Sequence, residues 1–302
     1  MISLILAKKI LSLFLVMALG IVLVRCGIVR SQDSKVLSMI SLYLVMPCVI
    51  ISSFQVEYQP EILNGLLLAL ATSALLHLVL IVVVGFLGKV LKLDGVEETS
   101  LIYSNAGNLI IPIVTAILGK EWVIYTSAFL SVQLFLLWSH AKMKLCGEKG
   151  IDLKKILTNI NMIAIFAGVL LFLLRIQLPA PVQDAVDSIS SMVGPMGMLI
   201  LGMLIAEMDL KKLLWRITLL RLVGIPLIGI VLLKYSSLAA LVPEGRTILL
   251  VTLLAICTPS ASTLTQMAQV YGKDADYASA INVVTTLLCI VTMPLMVALY
   301  QM

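Results

Sequence analysis

The sequence predicts an all-α integral membrane protein in which ten transmembrane helices form two inverted five-helix repeats. The first observation is composition, since 61% of the 302 residues are hydrophobic and only 12% are charged, with a mean hydropathy of +1.13. A soluble domain carries about 25% charged residues. The second observation is a series of ten apolar runs joined by short loops. The third is a pair of short polar stretches, 104–108 and 258–263, which interrupt two of these runs.

The ten runs are long enough to cross a membrane, which takes roughly 20 mostly apolar residues. We interpret the first, 4–24, as a membrane helix and not a signal peptide because no small-residue cleavage site follows it. The eighth, 213–233, has Arg216 and Arg221 in its first turns, where long basic side chains are expected to reach the interface. The other eight runs contain no Asp, Glu, Lys or Arg and cover 36–56, 62–88, 99–119, 122–141, 156–174, 188–206, 247–272 and 277–302.

Lysine and arginine are unevenly distributed between the two sides of these spans. The side with the loops 1–2, 3–4, 5–6, 7–8 and 9–10 carries fifteen of the 21 basic residues. Cytoplasmic loops carry the excess of Lys and Arg, so we expect both termini outside the cytoplasm, in a cell (inner) membrane. The net charge of +5 therefore reflects membrane orientation and requires no nucleic-acid partner.

Three short matches at a nearly constant offset indicate an internal duplication. An odd number of helices in each half places the second half upside down in the membrane. The boundary between the halves is expected in the basic loop at about 142–155, which gives one repeat over 1–145 and another over 150–302. The matched segments are 45–47 with 193–195, 119–121 with 272–274, and 127–128 with 279–280.

The first polar interruption lies in span 4, at 104–108, and Pro112 follows it. Gly107 weakens a helix, and the side chains of Asn105 and Asn108 can bond freed backbone groups or a ligand. Pro112 lacks a backbone N–H and clashes with the carbonyl of Asn108 in a continuous helix. We therefore expect a break near 105–109.

The second polar interruption lies in span 9, around Pro259. Pro259 suits the first position of a new half-helix, and Thr258 suits its N-cap. Ser260, Ser262 and Thr263 add hydroxyl groups. On the repeat offset this stretch corresponds to 105–108, so the two interruptions are expected to meet.

The two interruptions predict a substrate site at mid-membrane. Each half-helix that begins there directs unpaired N–H groups and about half a positive charge toward the membrane centre. Spans 2–5, 9 and 10 contain no basic residue, so helix ends, amides and hydroxyls would have to hold an anion. Gln133 and Asn282, near the middle of spans 5 and 10, either line this site or form interhelical hydrogen bonds. The alternative for both interruptions is a pair of ordinary proline kinks healed by neighbouring helices.

The remaining reactive residues indicate no second site. The five cysteines are an odd number without paired spacing, so neither a disulfide framework, a metal site nor a cofactor is expected. His77, central in span 3, is either a proton relay or a hydrogen-bonded packing residue. No Asp or Glu lies at the centre of a span, which disfavours a cation/proton antiporter. The motifs HExxH and GxSxG are missing, so no enzyme is predicted.

These features resemble the auxin efflux carrier family, and in particular its small bacterial members. The similarity covers essentially the whole chain and is most specific at Asn105-Ala106-Gly107-Asn108 with Pro112 and at 258–261. It implies a fold related to bile-acid/sodium symporters, with broken helices 4 and 9 that cross at mid-membrane. It also implies a scaffold of helices 1, 2, 6 and 7, against which a transport domain of helices 3–5 and 8–10 moves as an elevator. One departure is that Met162 follows Asn161, where the family often has Asn-Pro.

The resemblance implies a secondary transporter or facilitator for a small organic anion, a carboxylate such as malate, malonate or an auxin-like acid. The expected partners are this substrate, membrane lipid and a second copy of the chain bound through the scaffold helices. Two other classes of five-plus-five transporter stay open, a drug/metabolite exporter and a bile-acid-type sodium symporter. The predicted substrate-binding residues are Asn105, Asn108, Pro112, Thr258, Pro259, Ser260, Ser262, Thr263, Gln133 and Asn282, with no metal ligand.

Overall fold

The structure is a computed structural model that describes residues 2–147, 154, 157–207 and 215–302. It is all-helical, with 82% of residues in helices, and its described part contains no β-strand. The basic loop expected between the two halves, at about 142–155, lies mostly outside the described residues.

The helices are numbered here in chain order through the described residues. Short extended segments separate α4 from α5 and α10 from α11, so that these pairs occupy the predicted spans 4 and 9. The bounds are α1 Ile2–Arg25, α2 Ser31–Ser53, α3 Pro60–Leu91, α4 Gly95–Ile102, α5 Ala106–Ile117, α6 Lys120–Leu145, α7 Ile160–Leu173, α8 Ala180–Ile205, α9 Trp215–Lys234, α10 Gly245–Cys257, α11 Ser262–Val270 and α12 Ala275–Gln301.

Six helices in the described part of the chain are long and apolar enough to cross a membrane. They are α2, α3, α6, α8, α9 and α12. Three shorter apolar helices accompany them, at Leu15–Arg25, Ile160–Leu173 and Gly245–Cys257. The chain is therefore a multi-pass membrane protein, and the arrangement of ten spans in inverted repeats stays a prediction.

The outer surface of α3 shows why the fold needs lipid around it. Leu78, Val82 and Phe86 are 60%, 64% and 67% exposed and lie on one side of the helix, while Leu76 and Leu80 on the other side are buried. Residues four apart share a helix face. Such a continuous apolar stripe is costly in water and is stable against hydrocarbon chains.

The helices pack in two groups. In the first group α8 packs along α1 and against α2, and α7 packs against α2. The second group comprises α3–α6 and α9–α12, whose members pack mainly on one another. The two groups meet where α5 contacts α1 and α8, where α12 contacts α1, and where α6 contacts α2 and α7. The α1–α8 contact is close because Gly20 of α1 meets Gly202 of α8. A Cβ added to Gly202 would collide with the carbonyl oxygen of Met17. A cavity lies between the two groups, and the breaks in the helices face it.

Candidate functional site

The first break in helical structure lies at 103–105, between α4 and α5. Tyr103 is extended (φ −96°, ψ 131°), and Asn105 forms the N-cap position of α5 without a side-chain capping bond. The break thus begins two residues before the predicted region, 105–109, and overlaps it at Asn105. Pro112 lies inside α5, together with Asn108, because a proline removes one backbone donor and a membrane helix with close neighbours continues through that loss. The side chains of Asn108 and Pro112 are outside the part that the structure describes.

The second break lies at 258–261, between α10 and α11. Thr258 is extended (φ −68°, ψ 159°), and its hydroxyl donates to the carbonyl oxygen of Ala255 at 2.8 Å. The prediction that Thr258 caps a half-helix starting at Pro259 is wrong, because α11 begins at Ser262. Residues 258–261 stay outside the helix because their backbone groups bond to the first break.

The two breaks pair with each other as a short antiparallel bridge between Ser104 and Ser260. The Asn105 backbone N–H donates to the Pro259 carbonyl oxygen at 2.8 Å, and the Ala261 N–H donates to the Tyr103 carbonyl oxygen at 3.1 Å. Unpaired backbone groups are costly inside a membrane. Each break therefore supplies the partners that the other requires, and neither is an isolated proline kink.

A glutamine braces the first break. Gln133 on α6 is buried, and its Oε1 accepts from the Ser104 N–H at 3.0 Å and from the Ser104 hydroxyl at 2.8 Å. Its Nε2 donates to the Ser104 carbonyl oxygen at 2.8 Å. One side chain thus satisfies all the polar groups of Ser104 that the bridge leaves free.

An asparagine and a threonine brace the second break. The Asn282 Nδ2 on α12 donates to the Ser260 carbonyl oxygen, and the Ser260 N–H donates to the Thr285 hydroxyl at 3.2 Å. The predicted residues Gln133 and Asn282 are therefore interhelical hydrogen-bonding groups, and both also lie on the wall of the cavity. The two readings offered for them from sequence are compatible.

Arg221 is a part of this centre that the sequence interpretation missed. The prediction that it reaches the interface is wrong, because its side chain is fully buried and donates to carbonyl oxygens of Leu101, Thr258 and Pro259. It begins about 12 Å inside the run 213–233, at 1.5 Å per residue, which is deep for snorkelling. This depth is the sequence feature that could have identified Arg221 as a buried residue.

The cavity next to the crossing has a volume of about 830 Å³. Among the predicted site residues, Thr258, Pro259 and Ser260 are not on its wall and instead form the buried crossing. Those on its wall are Asn105, Gln133, Ser262, Thr263 and Asn282. The Ser262 hydroxyl donates to Asn105 Oδ1 at 3.2 Å, so the start of α11 meets the start of α5 there.

The opposite wall of the cavity comes from helices of the first group. Lys35 and the buried Asn161 lie on it, and the Asn161 Oδ1 has no hydrogen-bond partner. A polar face of α2 also lines the cavity, with serines at the three- and four-residue spacing of a helix, which is a signal that sequence reasoning overlooked. These serines are Ser31, Ser34, Ser38 and Ser41.

The cavity opens at one end of α2 and is closed at the other. The exposed Lys35 and Asp276 lie at its mouth, in the first turns of α2 and α12. Met46, about 16 Å further along α2 at 1.5 Å per residue, lies at the level of Gly107 and the crossing. Beyond it, Lys120 and Asp187 form a 2.7 Å ion pair between α6 and α8.

Among the described residues, titratable groups elsewhere add no second centre. His77 is buried, its Nδ1 lies 2.8 Å from the Ser73 carbonyl oxygen, and its ring packs 4.9 Å from that of Phe129. This is the geometry of a hydrogen-bonded packing residue. Among the residues that the structure describes, no three His, Cys, Asp or Glu side chains lie close enough to hold a metal ion.

Comparison with known proteins places the chain in a family. The family model described as membrane transport protein matches residues 5–150 and 149–297, which together span nearly the whole chain. No curated protein matches significantly. The matched model is that of the auxin efflux carriers, a family of transporters and not of enzymes. The chain therefore belongs to the auxin efflux carrier family and is a membrane transporter.

Proposed function

We propose that this transporter moves a small organic anion, with its binding site where the two breaks cross. The observation that carries the proposal is the position of the bridge between Ser104 and Ser260. The bridge lies against a cavity of about 830 Å³ whose lining, in the described part of the chain, reaches the surface at Lys35 and Asp276. Ligand cavities in proteins usually measure about 300–1,000 Å³. A small carboxylic acid fits this volume with room for water.

The polar groups at the inner end of the cavity favour an anion. Helices α5 and α11 both begin at the crossing, and the first N–H groups of a helix have no partner within it. Their positive dipole ends attract negative charge. Asn105, Ser262 and Thr263 line this part of the cavity, and the carboxylate of Asp276 lies at the mouth. Malate, malonate or an auxin-like acid are the substrates that we infer.

The division into two helix groups supports an elevator-type mechanism. The first group, α1, α2, α7 and α8, corresponds to the proposed scaffold. The second, with both breaks, corresponds to the proposed transport domain. Because the bridge and its braces all lie within the second group, that group can move without breaking the site. In this proposal the chain has ten spans, as inverted repeats over 1–145 and 150–302, and dimerises through its scaffold.

The proposed orientation places both termini outside the cytoplasm of the cell membrane. The loops at the open end of the cavity, before α2 and before α12, then lie in the cytoplasm, so the structure corresponds to an inward-open state. A C-terminal phosphatase fusion tests this orientation. It should be active, and an inactive fusion in a chain that still transports would contradict the outward termini.

The alternative of a drug/metabolite exporter loses support from the breaks themselves. That class does not require interrupted helices at spans 4 and 9, and this chain has both interruptions and bonds them together. A bile-acid-type sodium symporter shares the proposed architecture. It differs in requiring sodium, so uptake of a labelled carboxylate measured with and without Na⁺ distinguishes the two.

The substrate site is tested by uptake of labelled carboxylates into liposomes that contain the purified protein. Asn105→Ala should reduce uptake at least about tenfold, since an interaction worth 1.4 kcal/mol in the rate-limiting state accounts for that factor. The matched control is Thr115→Ala, also on α5, whose hydroxyl bonds only to the Ile111 carbonyl oxygen. Normal uptake by Asn105→Ala would place the site elsewhere.

Substrate class is tested by thermal unfolding of the purified protein with mono-, di- and tricarboxylates at two pH values. A bound ligand raises the melting temperature according to its affinity. Stabilisation should follow the ionised form of the acid. Stabilisation by the neutral acid alone would contradict a site built from helix ends.

A further inference from the structure

Arg221 is a fully buried cation about two turns inside α9, which is long and apolar enough to cross the membrane. It lies in α9, in a widened π-type turn over Leu220–Gly224 that precedes Pro226. Such turns occur frequently at functional sites. A charged residue in a membrane span is costly and is by default functional. The transport mechanism described above makes no use of Arg221.

The partners of Arg221 are backbone carbonyl groups from both breaks. Its Nη1 donates to the Leu101 oxygen at 2.9 Å, in the last turn of α4. Its Nη2 donates to the Thr258 oxygen at 2.7 Å and to the Pro259 oxygen at 3.3 Å, just beyond the end of α10. The last carbonyls of a helix have no internal partner and carry about half a negative charge. The guanidinium therefore joins the negative ends of the two half-helices whose continuations, α5 and α11, begin at the substrate site.

No acidic side chain neutralises this cation in the described part of the chain. The ion pairs found there are Lys120–Asp187, Lys144–Glu98 and Arg216–Glu97, and none includes Arg221. Within the described residues, backbone carbonyl dipoles stabilise the charge. In transporters with broken helices, unwound carbonyls and half-helix C-terminal ends are the groups that coordinate Na⁺. Arg221 thus lies in the chemical environment that a coupling cation occupies in such proteins.

We propose that the Arg221 guanidinium acts as a tethered cation in place of a free coupling ion, and so holds the crossing together without Na⁺ at any stage of transport. This inference rests on the proposed function. A covalently attached cation cannot be released on one side of the membrane, so it cannot couple transport to an ion gradient. The binding site is then complete before the substrate arrives, and net movement follows the electrochemical gradient of the anion itself, which combines its concentration difference with the membrane potential. Arg221 is a positioning residue in this proposal, since it contacts helix ends and not the substrate.

The first test needs only the wild-type protein. Uptake of labelled malate into liposomes is measured in NaCl, KCl and choline chloride at equal ionic strength. The three rates should agree within about twofold, because no free cation enters the site. A requirement for Na⁺ would overturn this inference and leave anion transport intact. Absence of uptake and of thermal stabilisation for every acid tested would instead count against the proposed function.

The second test removes the tethered cation and supplies a free one. Arg221→Ala should lower the melting temperature by about 5–10 °C, because the carbonyl groups of Leu101 and Thr258 lose their guanidinium donor. The Pro259 carbonyl group keeps the bond from the Asn105 N–H. Millimolar guanidinium, which fits the space left by the side chain, should restore roughly half of that loss and should restore uptake. A folded variant that gains neither stability nor uptake from guanidinium would overturn the proposal.

The matched control is Arg216→Ala, five residues earlier on α9. Arg216 pairs with Glu97 at 3.1 Å near the membrane surface, and its side chain is half exposed. Added guanidinium should therefore restore neither the melting temperature nor the uptake of Arg216→Ala. Arg221→Lys keeps the charge with a shorter reach, so it should retain part of the uptake without added cation. Should Arg221→Ala not fold, Arg221→Lys and the wild-type ion comparison decide the question, and a Lys variant that requires Na⁺ would refute the tethered cation.

Discussion

The α4–α5 and α10–α11 breaks have the same geometry and unequal support. Each leaves a short extended segment, and the two segments form one bridge between Ser104 and Ser260. At the first break a single residue, Gln133, makes three hydrogen bonds to Ser104. At the second, Asn282 and Thr285 each make one bond to Ser260. Apart from Arg221, which bonds to both breaks, one side chain supports the first bridge residue and two side chains share the support of the second.

The difference extends to charge. Arg221 bonds to carbonyl groups of both breaks, with one bond to α4 and two to the segment after α10. It belongs to α9, in the second half of the chain. The proposed duplication would therefore have produced two similar backbones whose stabilising side chains later diverged. Removing single braces measures this inequality directly.

The largest effect is expected from Gln133→Leu. The substitution keeps the approximate volume and leaves the N–H, the hydroxyl and the carbonyl group of Ser104 without their partner. We expect the free energy of unfolding to fall by about 3 kcal/mol, since a buried unsatisfied polar group costs about 1–3 kcal/mol and neighbours recover part of the loss. Reversible unfolding in mixed micelles measures this change.

Ser131→Ala is the control for that substitution, two residues away on α6. The Ser131 hydroxyl bonds to the Ser127 carbonyl oxygen one turn earlier, at 2.7 Å, and braces no break. Its removal should cost less than about 0.5 kcal/mol. Equal losses for Gln133→Leu and Ser131→Ala would show that the three bonds to Ser104 contribute little.

A smaller effect is expected from Asn282→Leu at the second break. Thr285 still accepts from the Ser260 N–H, and Arg221 still donates to Thr258, so one carbonyl group loses its donor. A loss of about 1 kcal/mol is expected from that single group. Adding Thr285→Val should bring the total close to that of Gln133→Leu, and unfolding of the three variants together checks this. If Asn282→Leu alone lowers the free energy of unfolding as much as Gln133→Leu does, Asn282 and Thr285 do not share the support of the second break.

The sequence was sufficient to predict that two interruptions exist and that they meet. Polar residues inside apolar runs are rare enough in membrane helices that Asn105 and Thr258–Ser260 had to lie at an internal site. Gln133 and Asn282 were also recognisable, as amides near the middle of spans 5 and 10. The family placement confirms that the motifs carried real information.

The positions where each break begins were not predictable from the same residues. Pro112 and its neighbours suggested a break near 105–109, but the structure keeps Asn108 and Pro112 in α5. Pairing with Pro259 fixes Asn105 as the N-cap of that helix. Backbone pairing between segments about 150 residues apart leaves no local pattern. Arg221 was assigned to the interface for the same reason, since only the fold shows that it bonds to carbonyl groups of α4 and of the segment after α10.

The smallest effect is expected at the closed end of the cavity, away from both breaks. Asp187 on α8 accepts from Lys120 on α6 at 2.7 Å and from Ser52 and Gln183 of its own helix group. The Lys120 bond is the one of these three that joins the two groups. Both charges are partly exposed, so solvent screens the pair. Lys120→Ala should therefore favour the state in which this end of the cavity is open by about 0.5 kcal/mol, or about twofold.

A cysteine at Ser127 detects this shift. Ser127 is buried, and its hydroxyl lies 2.8 Å from that of Ser53 across the same interface. In a background without the five native cysteines, its reaction with a membrane-impermeant maleimide should be about twofold faster when Lys120→Ala is added. Lys234→Ala, which removes an exposed lysine bonded to the Leu299 carbonyl oxygen, should leave the rate unchanged. Because high salt weakens the ion pair in the parent protein, it should raise the parent's rate toward that of Lys120→Ala. An equal rate for parent and variant at low salt would mean that buried contacts, and not this ion pair, keep the two helix groups together.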